Sequence, residues 1–124
     1  MFHAMAKLLI VEDDESVRTL AARALERDGH MVTIATDGAQ GLELIQRAAG
    51  GYDLVVSDIR MPEMDGIEMA TAAARQFPTM KIMLMTGYAD QRERAEELNG
   101  IIRDVVQKPF TLAEIRARVG RVLN

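Results

Sequence analysis

Short apolar runs alternate with segments of helical periodicity along the whole chain. Three of these runs are continuously apolar, LLIV at 8–11, LVV at 54–56 and IMLM at 82–85, a pattern typical of parallel strands that helices cover on both faces. Each run is followed by a helical segment, so the pattern predicts repeated βα units. The five predicted strands span residues 8–11, 31–35, 54–57, 82–85 and 105–107.

A parallel sheet built from consecutive βα units requires right-handed crossovers, which leaves few possible strand orders. The simplest is 2-1-3-4-5, the flavodoxin-like order of a doubly wound five-stranded α/β sheet flanked by five helices. In this class, ligands bind in the crevice outside the carboxyl ends of the strands. The predicted fold therefore indicates that functional side chains should lie at the carboxyl ends of the strands.

The apolar stripes differ in strength between the predicted helices. Helix four, at 90–98, has little apolar material beyond Ala95 and Leu98, so we expect it to be weakly held. Helix one, at about 16–27, has a full stripe at 3.6-residue spacing. The stripe consists of Val17, Leu20, Ala21, Ala24 and Leu25.

Three helices carry the sequence signature of a capping box at their start. The N-cap residue and the residue three positions later form the pairs Asp37 with Gln40, Asp65 with Glu68, and Thr111 with Glu114. Asp37 and Asp65 are therefore interpreted as caps. Asp14 has two open interpretations, as the cap of helix one or as a third acid of a functional site.

Acidic side chains end two of the apolar runs. Glu12 and Asp13 follow the first strand, and Asp58 follows the third. The predicted order makes these strands neighbours, about 4.8 Å apart, so the acids should open onto one crevice. Thr86 ends the fourth strand, and Lys108 follows the fifth on a stem long enough to reach back, so both are predicted to join the acids.

Carboxylates at this spacing repel one another, by roughly 4 kcal/mol per pair at 4 Å and an effective dielectric of 20. A cation is therefore expected, and few hard oxygen ligands at an exposed strand end suit Mg²⁺. Lys108 supplies a second positive charge. Between the two, Asp58 has the surroundings of a phosphoryl acceptor, with Thr86 placed to bond a phosphoryl oxygen.

Composition limits the function classes. The 124 residues make one domain, with residues 1–6 as an N-terminal extension and 7–124 as the folded unit. A net charge of -4 without a long basic run argues against direct binding of nucleic acid or an anionic membrane. The chain has no Cys and no apolar stretch approaching the roughly 20 residues that span a bilayer. We therefore expect a cytoplasmic protein.

Four motifs together resemble the receiver domain of two-component response regulators. They are Val11-Glu12-Asp13-Asp14, Asp58 with the segment MPEMDG at 61–66, Met85-Thr86-Gly87 and Lys108-Pro109-Phe110. The resemblance covers residues 7–124, and four motifs in this order and spacing are highly specific. It implies a single-domain CheY-like protein that takes a phosphoryl group from a histidine kinase or histidine phosphotransferase.

The resemblance also implies roles for individual residues. Asp58 matches the phosphorylated aspartate, Thr86 the switch hydroxyl and Lys108 the cation that pairs with the phosphoryl group. The peptide before Pro109 is expected to be cis, and the output surface is expected to be helix four, strand five and helix five. The positions that match Mg²⁺ ligands are Glu12, Asp13, Asp58 and the backbone carbonyl of Arg60.

One position departs from the family pattern. Val105 stands three residues before the Lys, where the family commonly carries Tyr or Phe as a side chain that turns inward when the Thr moves. Tyr88, two residues after Thr86, is a candidate to take over part of that task or to screen the phosphoryl group from water. The switch positions are therefore Thr86, Tyr88 and Val105.

Two other functions remain open on the sequence alone. One is a Mg²⁺-dependent phosphohydrolase, which would need an acid or base directly after Asp58, where Ile59 and Arg60 stand. The other is an adaptor that docks a partner independently of phosphorylation, an interpretation that Val105 keeps open. Our main interpretation is a signalling domain rather than an enzyme, a monomer or weak dimer that acts on a downstream protein.

Overall fold

The computed structural model describes residues 5–98 and 100–124 and contains alternating strands and helices. Residues 1–4, most of the extension expected from the sequence, lie outside the described part. No helix among the described residues combines the length and apolarity needed to cross a membrane. The elements are β1 (Lys7–Val11), α1 (Glu15–Arg27), β2 (Met31–Ala35), α2 (Gly38–Arg47), β3 (Leu54–Asp58), α3 (Gly66–Gln76), β4 (Lys81–Thr86), α4 (Ala89–Glu96), β5 (Ile102–Gln107) and α5 (Leu112–Leu123).

The strands form one parallel sheet in the order β2-β1-β3-β4-β5. This is the predicted flavodoxin-like α/β architecture, so the fold prediction is confirmed. β1 lies beside β3, with Val11 opposite Ser57, and β4 lies on the other side of β3 with Met85 opposite Asp58. The carboxyl ends of β1 and β3 therefore meet at one edge of the sheet.

The core consists of two layers, one on each face of the sheet. Leu9 and Val11 pack into one layer with α2 and α3, and Leu8 and Ile10 pack into the other with α1 and α5. Successive side chains of a strand point to opposite faces, so a strand buried in both layers must be apolar at every position. This explains the continuous apolar runs of β1, β3 and β4.

Side chains at the helix starts satisfy free backbone N–H groups. The capping boxes at Asp65 and Thr111 have both of their hydrogen bonds. Each N-cap side chain accepts from the backbone N–H three residues later, and Glu68 and Glu114 accept from the backbone N–H of their N-cap residues. Asp14 caps α1 by accepting from the backbone N–H groups of residues 16 and 17 at 2.9 and 3.2 Å. The cap interpretation of Asp14 is thus the one the structure favours.

The predicted capping box at α2 is only half correct. Asp37 accepts from the backbone N–H of Gln40 at 2.8 Å, as expected of an N-cap. The Gln40 side chain, however, accepts from the backbone N–H of Thr36 at 2.7 Å and from its hydroxyl at 3.0 Å. The glutamine therefore bonds the residue before the N-cap, where two donors are available.

The predicted stripe of α1 is too wide. Leu20 is 41% exposed, whereas Ala21, Ala24 and Leu25 are buried and Val17 is half-buried. Because Ala21 and Ala24 are small, α1 can lie close to the sheet. Only a narrow line of its side chains is then needed to fill the contact between helix and sheet. Leu20 then lies at the margin of the contact.

Two predicted boundaries near the end of the chain are wrong. β5 begins at Ile102 rather than at 105, and α4 ends at Glu96 rather than at 98. β5 is an edge strand with an exposed Arg103, so it lacks the continuous apolar run that marks the central strands. On α4, Ala95 is buried and Leu98 just beyond the helix is half-buried, which agrees with a thinly anchored helix.

Gly66 lies where the start of α3 approaches the end of β3. Its backbone N–H donates to the carbonyl of Ile59 at 2.7 Å. A Cβ atom at this position would overlap the backbone carbonyl oxygen of Asp58. The glycine therefore lets α3 approach the backbone of Asp58 closely.

Replacing Gly66 with Ala should destabilise the protein by about 1–3 kcal/mol, because the added methyl group forces the backbone at Asp58 to shift. Urea unfolding followed by circular dichroism measures this change. Gly120→Ala is the matched control, since a Cβ there meets nothing within 4 Å. In the control, helix propensity should raise stability by about 0.5–1 kcal/mol. An unchanged unfolding free energy in Gly66→Ala would contradict the close approach.

Candidate functional site at the carboxyl edge of the sheet

Three carboxylates converge where β1 and β3 end. Glu12, Asp13 and Asp58 each offer an oxygen such that all three oxygens lie within 4.8 Å of one another. Glu12 is fully buried, Asp58 is 7% exposed and Asp13 is exposed. The structure therefore contains the predicted group of acids. They lie in a cleft that is open to solvent on the side of Asp13.

Lys108 bridges two of these acids from the far end of the chain. Its Nζ lies 2.6 Å from Glu12 Oε1 and 3.1 Å from Asp58 Oδ2. The backbone N–H of Lys108 donates to the carbonyl of Thr86 at 2.7 Å, and the Lys108–Pro109 peptide is cis, as expected. The side chain reaches past β4, which confirms that it joins the acids.

The pKa values of this group follow from burial and charge. Burial raises the pKa of Glu12 from 4.5 to about 7, because the hydrogen bond from Lys108 offsets it only in part and the charge of Asp58 adds to the increase. Burial acts to lower the pKa of Lys108, but the hydrogen bond to Glu12 and the charge of Asp58 outweigh it, so the pKa is raised above 10.5. The ammonium is thus retained, and Glu12 binds a proton more readily than an ordinary glutamate does.

The Asp58 carboxylate is held at both oxygens. Oδ1 accepts from the backbone N–H of Ile59 at 2.9 Å, and Oδ2 faces the ammonium of Lys108. The buried Ser57 donates its hydroxyl to the Asp58 backbone carbonyl at 2.9 Å. Asp58 therefore presents an oriented carboxylate at the strand end.

The Thr86 hydroxyl points toward α4, where its hydrogen bonds go to Tyr88 and Gln91. It lies 3.0 Å from the carbonyl of Tyr88 and 3.1 Å from Gln91 Oε1, both acceptors, and it accepts from the Tyr88 backbone N–H at 3.2 Å. Thr86 itself is 1% exposed. The sequence predicted its position at the end of β4 correctly, but the direction of the hydroxyl could not be predicted.

Two of the remaining candidate residues meet at the rim. The guanidinium carbon of Arg60 lies 5.0 Å from the centre of the Tyr88 ring, a cation–π distance, and Tyr88 is 52% exposed. Val105 is half-buried on β5, opposite Leu84, and packs against the layer that contains α4. The contact between Arg60 and Tyr88 thus connects the loop after β3 to the loop after β4. Val105 instead packs in the core layer that α4 covers.

The sequence analysis missed two polar residues next to this site. Gln91 is 9% exposed, and the only available signal was its position four residues before the inward-facing Ala95. Arg18 donates to the backbone carbonyls of Glu12 and Asp13 at 3.0 and 3.5 Å. Its guanidinium reaches back from α1, and the periodicity of that helix gives no signal for such a contact.

Comparisons with known proteins agree with this geometry. The family model of the response regulator receiver domain matches residues 8–120. The chain therefore belongs to the response regulator receiver domain family of two-component signalling, as the four motifs predicted. Receiver domains of this family are phosphorylatable and bind Mg²⁺ at an acidic pocket, which here corresponds to the cluster of Glu12, Asp13 and Asp58.

Similar proteins include both short and long chains. The response regulator receiver protein CpdR of Brucella abortus (strain 2308) is 35% identical over 119 residues, covering 96% of this chain and 98% of CpdR. The sensor kinase CckA of the same strain is 33% identical over 119 residues, covering 96% of this chain but 13% of CckA. A CheY-like receiver domain protein from Methanospirillum hungatei JF-1 has a solved structure with a TM-score of 0.87 and 28% identity, covering 97% of this chain and 94% of that one.

In metal-free solution, the unfolding free energy should fall as the pH rises from about 4.5 to about 7. The pKa of Glu12 is higher in the folded state, so its contribution is fully present below the unfolded value and is lost as the pH passes the folded one. The raised pKa of Lys108 causes no loss in this range. The expected decrease is on the order of 1–3 kcal/mol, measured by urea unfolding with a chelator present.

Glu12→Gln tests the assignment of this pH dependence, because the amide does not titrate. The unfolding free energy of this variant should lack the contribution from Glu12. It should therefore change less between pH 4.5 and pH 7 than that of the wild type. Glu26→Gln is the matched control, since Glu26 is an exposed carboxylate on α1 that should leave the wild-type slope intact. The same slope in Glu12→Gln and the wild type would contradict a raised pKa at Glu12.

Proposed function

We propose that this protein is a response regulator that accepts a phosphoryl group on Asp58 from a histidine kinase or histidine phosphotransferase. The observation that carries the proposal is the arrangement around Lys108, whose Nζ contacts both Glu12 and Asp58 at the rim that also contains Asp13. An oriented carboxylate beside an ammonium and further acids is suited to phosphoryl transfer, which depends on positioning and charge neutralisation.

The residues present fit a Mg²⁺ ion. Glu12, Asp13 and Asp58 provide hard oxygen ligands within 4.8 Å of one another, and the exposed side of the cleft leaves room for water and phosphate oxygens. We assign these three side chains and the backbone carbonyl of Arg60 as the residues that would hold the ion. When bound, Mg²⁺ would supply positive charge that offsets both the acids and the phosphoryl oxygens.

In the transfer itself, a carboxylate oxygen of Asp58 attacks phosphorus in line with the donor nitrogen. The new P–O bond forms as the P–N bond of the phosphohistidine breaks, and the electron pair leaves with the imidazole. The backbone N–H of Ile59 keeps the carboxylate oriented. Lys108 is placed to pair with the phosphoryl oxygens, and Thr86 is proposed to turn toward them and donate its hydroxyl proton.

The proposed output is a shift of the surface formed by α4, β5 and α5 that a downstream protein reads. Support comes from the weak anchoring of α4, a mostly polar helix in which Ala95 is a fully buried apolar residue. Phosphorylation can shift an equilibrium between two positions of α4 only if the phosphoryl group interacts more favourably with one of them. Thr86, at the junction of β4 and α4, is the residue that would make such a differential contact.

We further propose that the protein signals rather than turning over an external substrate. Ile59 has an aliphatic side chain and the guanidinium of Arg60 stays protonated, so neither residue after Asp58 offers a general base for a phosphohydrolase. One alternative is docking that is independent of phosphorylation. Val105 favours it, because with valine at this position β5 has no aromatic side chain that could respond to movement of Thr86. Equal partner affinity of wild type and Asp58→Asn would support that alternative.

Incubation with acetyl phosphate and Mg²⁺ should add one phosphoryl group to the wild type, as read by intact mass. Asp58→Asn should gain none, because it lacks the attacking carboxylate oxygen. Asp37→Asn is the matched control, since asparagine retains the N-cap of α2 and the position lies outside the acidic cluster. Equal mass gain in Asp58→Asn, or none in the wild type, would contradict the proposal.

Tyr88→Ala should shorten the lifetime of the phosphorylated protein. Removing the ring releases Arg60 from a contact worth about 0.5–1 kcal/mol, and the rim opens to water. If that energy stabilises the closed rim, hydrolysis should accelerate about two- to fivefold, followed by mass spectrometry after the donor is removed. Tyr88→Phe keeps the ring and should retain the wild-type lifetime. An unchanged lifetime in Tyr88→Ala would argue against a screening role.

A further inference from the structure

Gln91 is a buried polar side chain on a helix with few buried contacts. It is 9% exposed, and its Oε1 lies 3.1 Å from the Thr86 hydroxyl. Burying an amide is unfavourable unless its hydrogen bonds are made, so this contact helps to hold α4 against the end of β4. The proposed phosphoryl transfer does not use Gln91.

The Thr86 hydroxyl forms its hydrogen bonds with residues at the start of α4. It accepts from the backbone N–H of Tyr88, and its single proton is shared between the carbonyl of Tyr88 and Oε1 of Gln91. Tyr88 is the N-cap of α4 and forms no side-chain cap hydrogen bond. The Thr86 hydroxyl therefore bonds both backbone groups of the N-cap residue and so links the start of α4 to the end of β4.

This arrangement creates a competition for one proton. If the Thr86 hydroxyl donates to a phosphoryl oxygen on Asp58, it cannot also donate to Gln91. A buried acceptor without a donor is costly, and α4 has little apolar packing to resist movement. Val105, the side chain on the neighbouring β5, is aliphatic and cannot replace the lost donor.

We propose that Gln91 is a positioning residue that couples the phosphorylation state of Asp58 to α4 through the Thr86 hydroxyl. The inference rests on the proposed function and adds the residue through which α4 senses Thr86. In the resting state Gln91 and Thr86 hold the start of α4. When Thr86 turns to the phosphoryl group, the unpaired amide oxygen of Gln91 drives α4 to a new position.

The test compares amide hydrogen exchange of α4 with and without beryllium fluoride and Mg²⁺, a phosphoryl mimic. In the wild type, the mimic should change the exchange of α4 amides severalfold. Gln91→Met has a similar length but no acceptor, so it should lose most of this response. Gln91→Glu keeps an acceptor oxygen and should restore the response. Gln46→Met, at an exposed glutamine on α2, is the matched control and should respond like the wild type.

A purely structural role for Gln91 would alter the baseline exchange of α4 but leave its response to the mimic intact, and a full response in Gln91→Met would overturn the inference. Should that variant fail to fold, the wild type alone decides. Its Gln91 side-chain NH₂ resonances must shift when the mimic binds, and unmoved resonances would overturn the coupling.

The outcome for the proposed function is read separately. Intact mass after acetyl phosphate reports whether Asp58 is phosphorylated, and no gain in the wild type would remove both the proposed function and this inference. A mass gain together with an α4 response that is independent of Gln91 would overturn the inference alone.

Discussion

The contact of one ammonium with two buried carboxylates is the interaction on which this site depends. Lys108 meets Glu12 across 96 residues of sequence and also lies 3.1 Å from Asp58, so a single side chain joins the ends of three strands. Carboxylates at this range repel by roughly 4 kcal/mol at an effective dielectric of 20. The ammonium offsets part of that repulsion, but burial and, to a smaller extent, the charge of Asp58 still raise the pKa of Glu12. The proposed Mg²⁺ would offset the remaining negative charge of this cluster.

The site joins a firmly packed half to a weakly anchored half. Asp58 and Glu12 end the central strands β3 and β1, which are buried on both faces, so their backbones cannot shift without disturbing both core layers. Thr86 ends β4 and its hydroxyl bonds only toward α4, a polar helix with thin apolar anchoring. A fixed carboxylate, the proposed phosphoryl acceptor, beside a weakly held helix is an arrangement in which a local change of charge can shift a larger element.

Sequence alone predicted the parts of the structure that follow from strong, local signals. Continuous apolar runs identified the central strands, and the resulting strand order brought Asp58 and Lys108 together. The edge strand β5 was predicted too short because Arg103 breaks the run, and Leu20 was placed inside because periodicity does not measure how wide a helix contact is. The link between Thr86 and α4 through Gln91 was missed, since the rotamer of a hydroxyl and the reach of an amide depend on packing that a sequence pattern does not contain.

The most direct test of this account is the protonation of Glu12 in the metal-free protein. A titration followed by NMR of the ¹³C-labelled side-chain carboxyl of Glu12 should show an inflection near pH 7, because burial and the charge of Asp58 outweigh the hydrogen bond from Lys108. Adding Mg²⁺ should move that inflection to lower pH, since the ion favours the charged carboxylate. An inflection near the ordinary value of 4.5, unaffected by Mg²⁺, would contradict a strained acidic cluster held by Lys108.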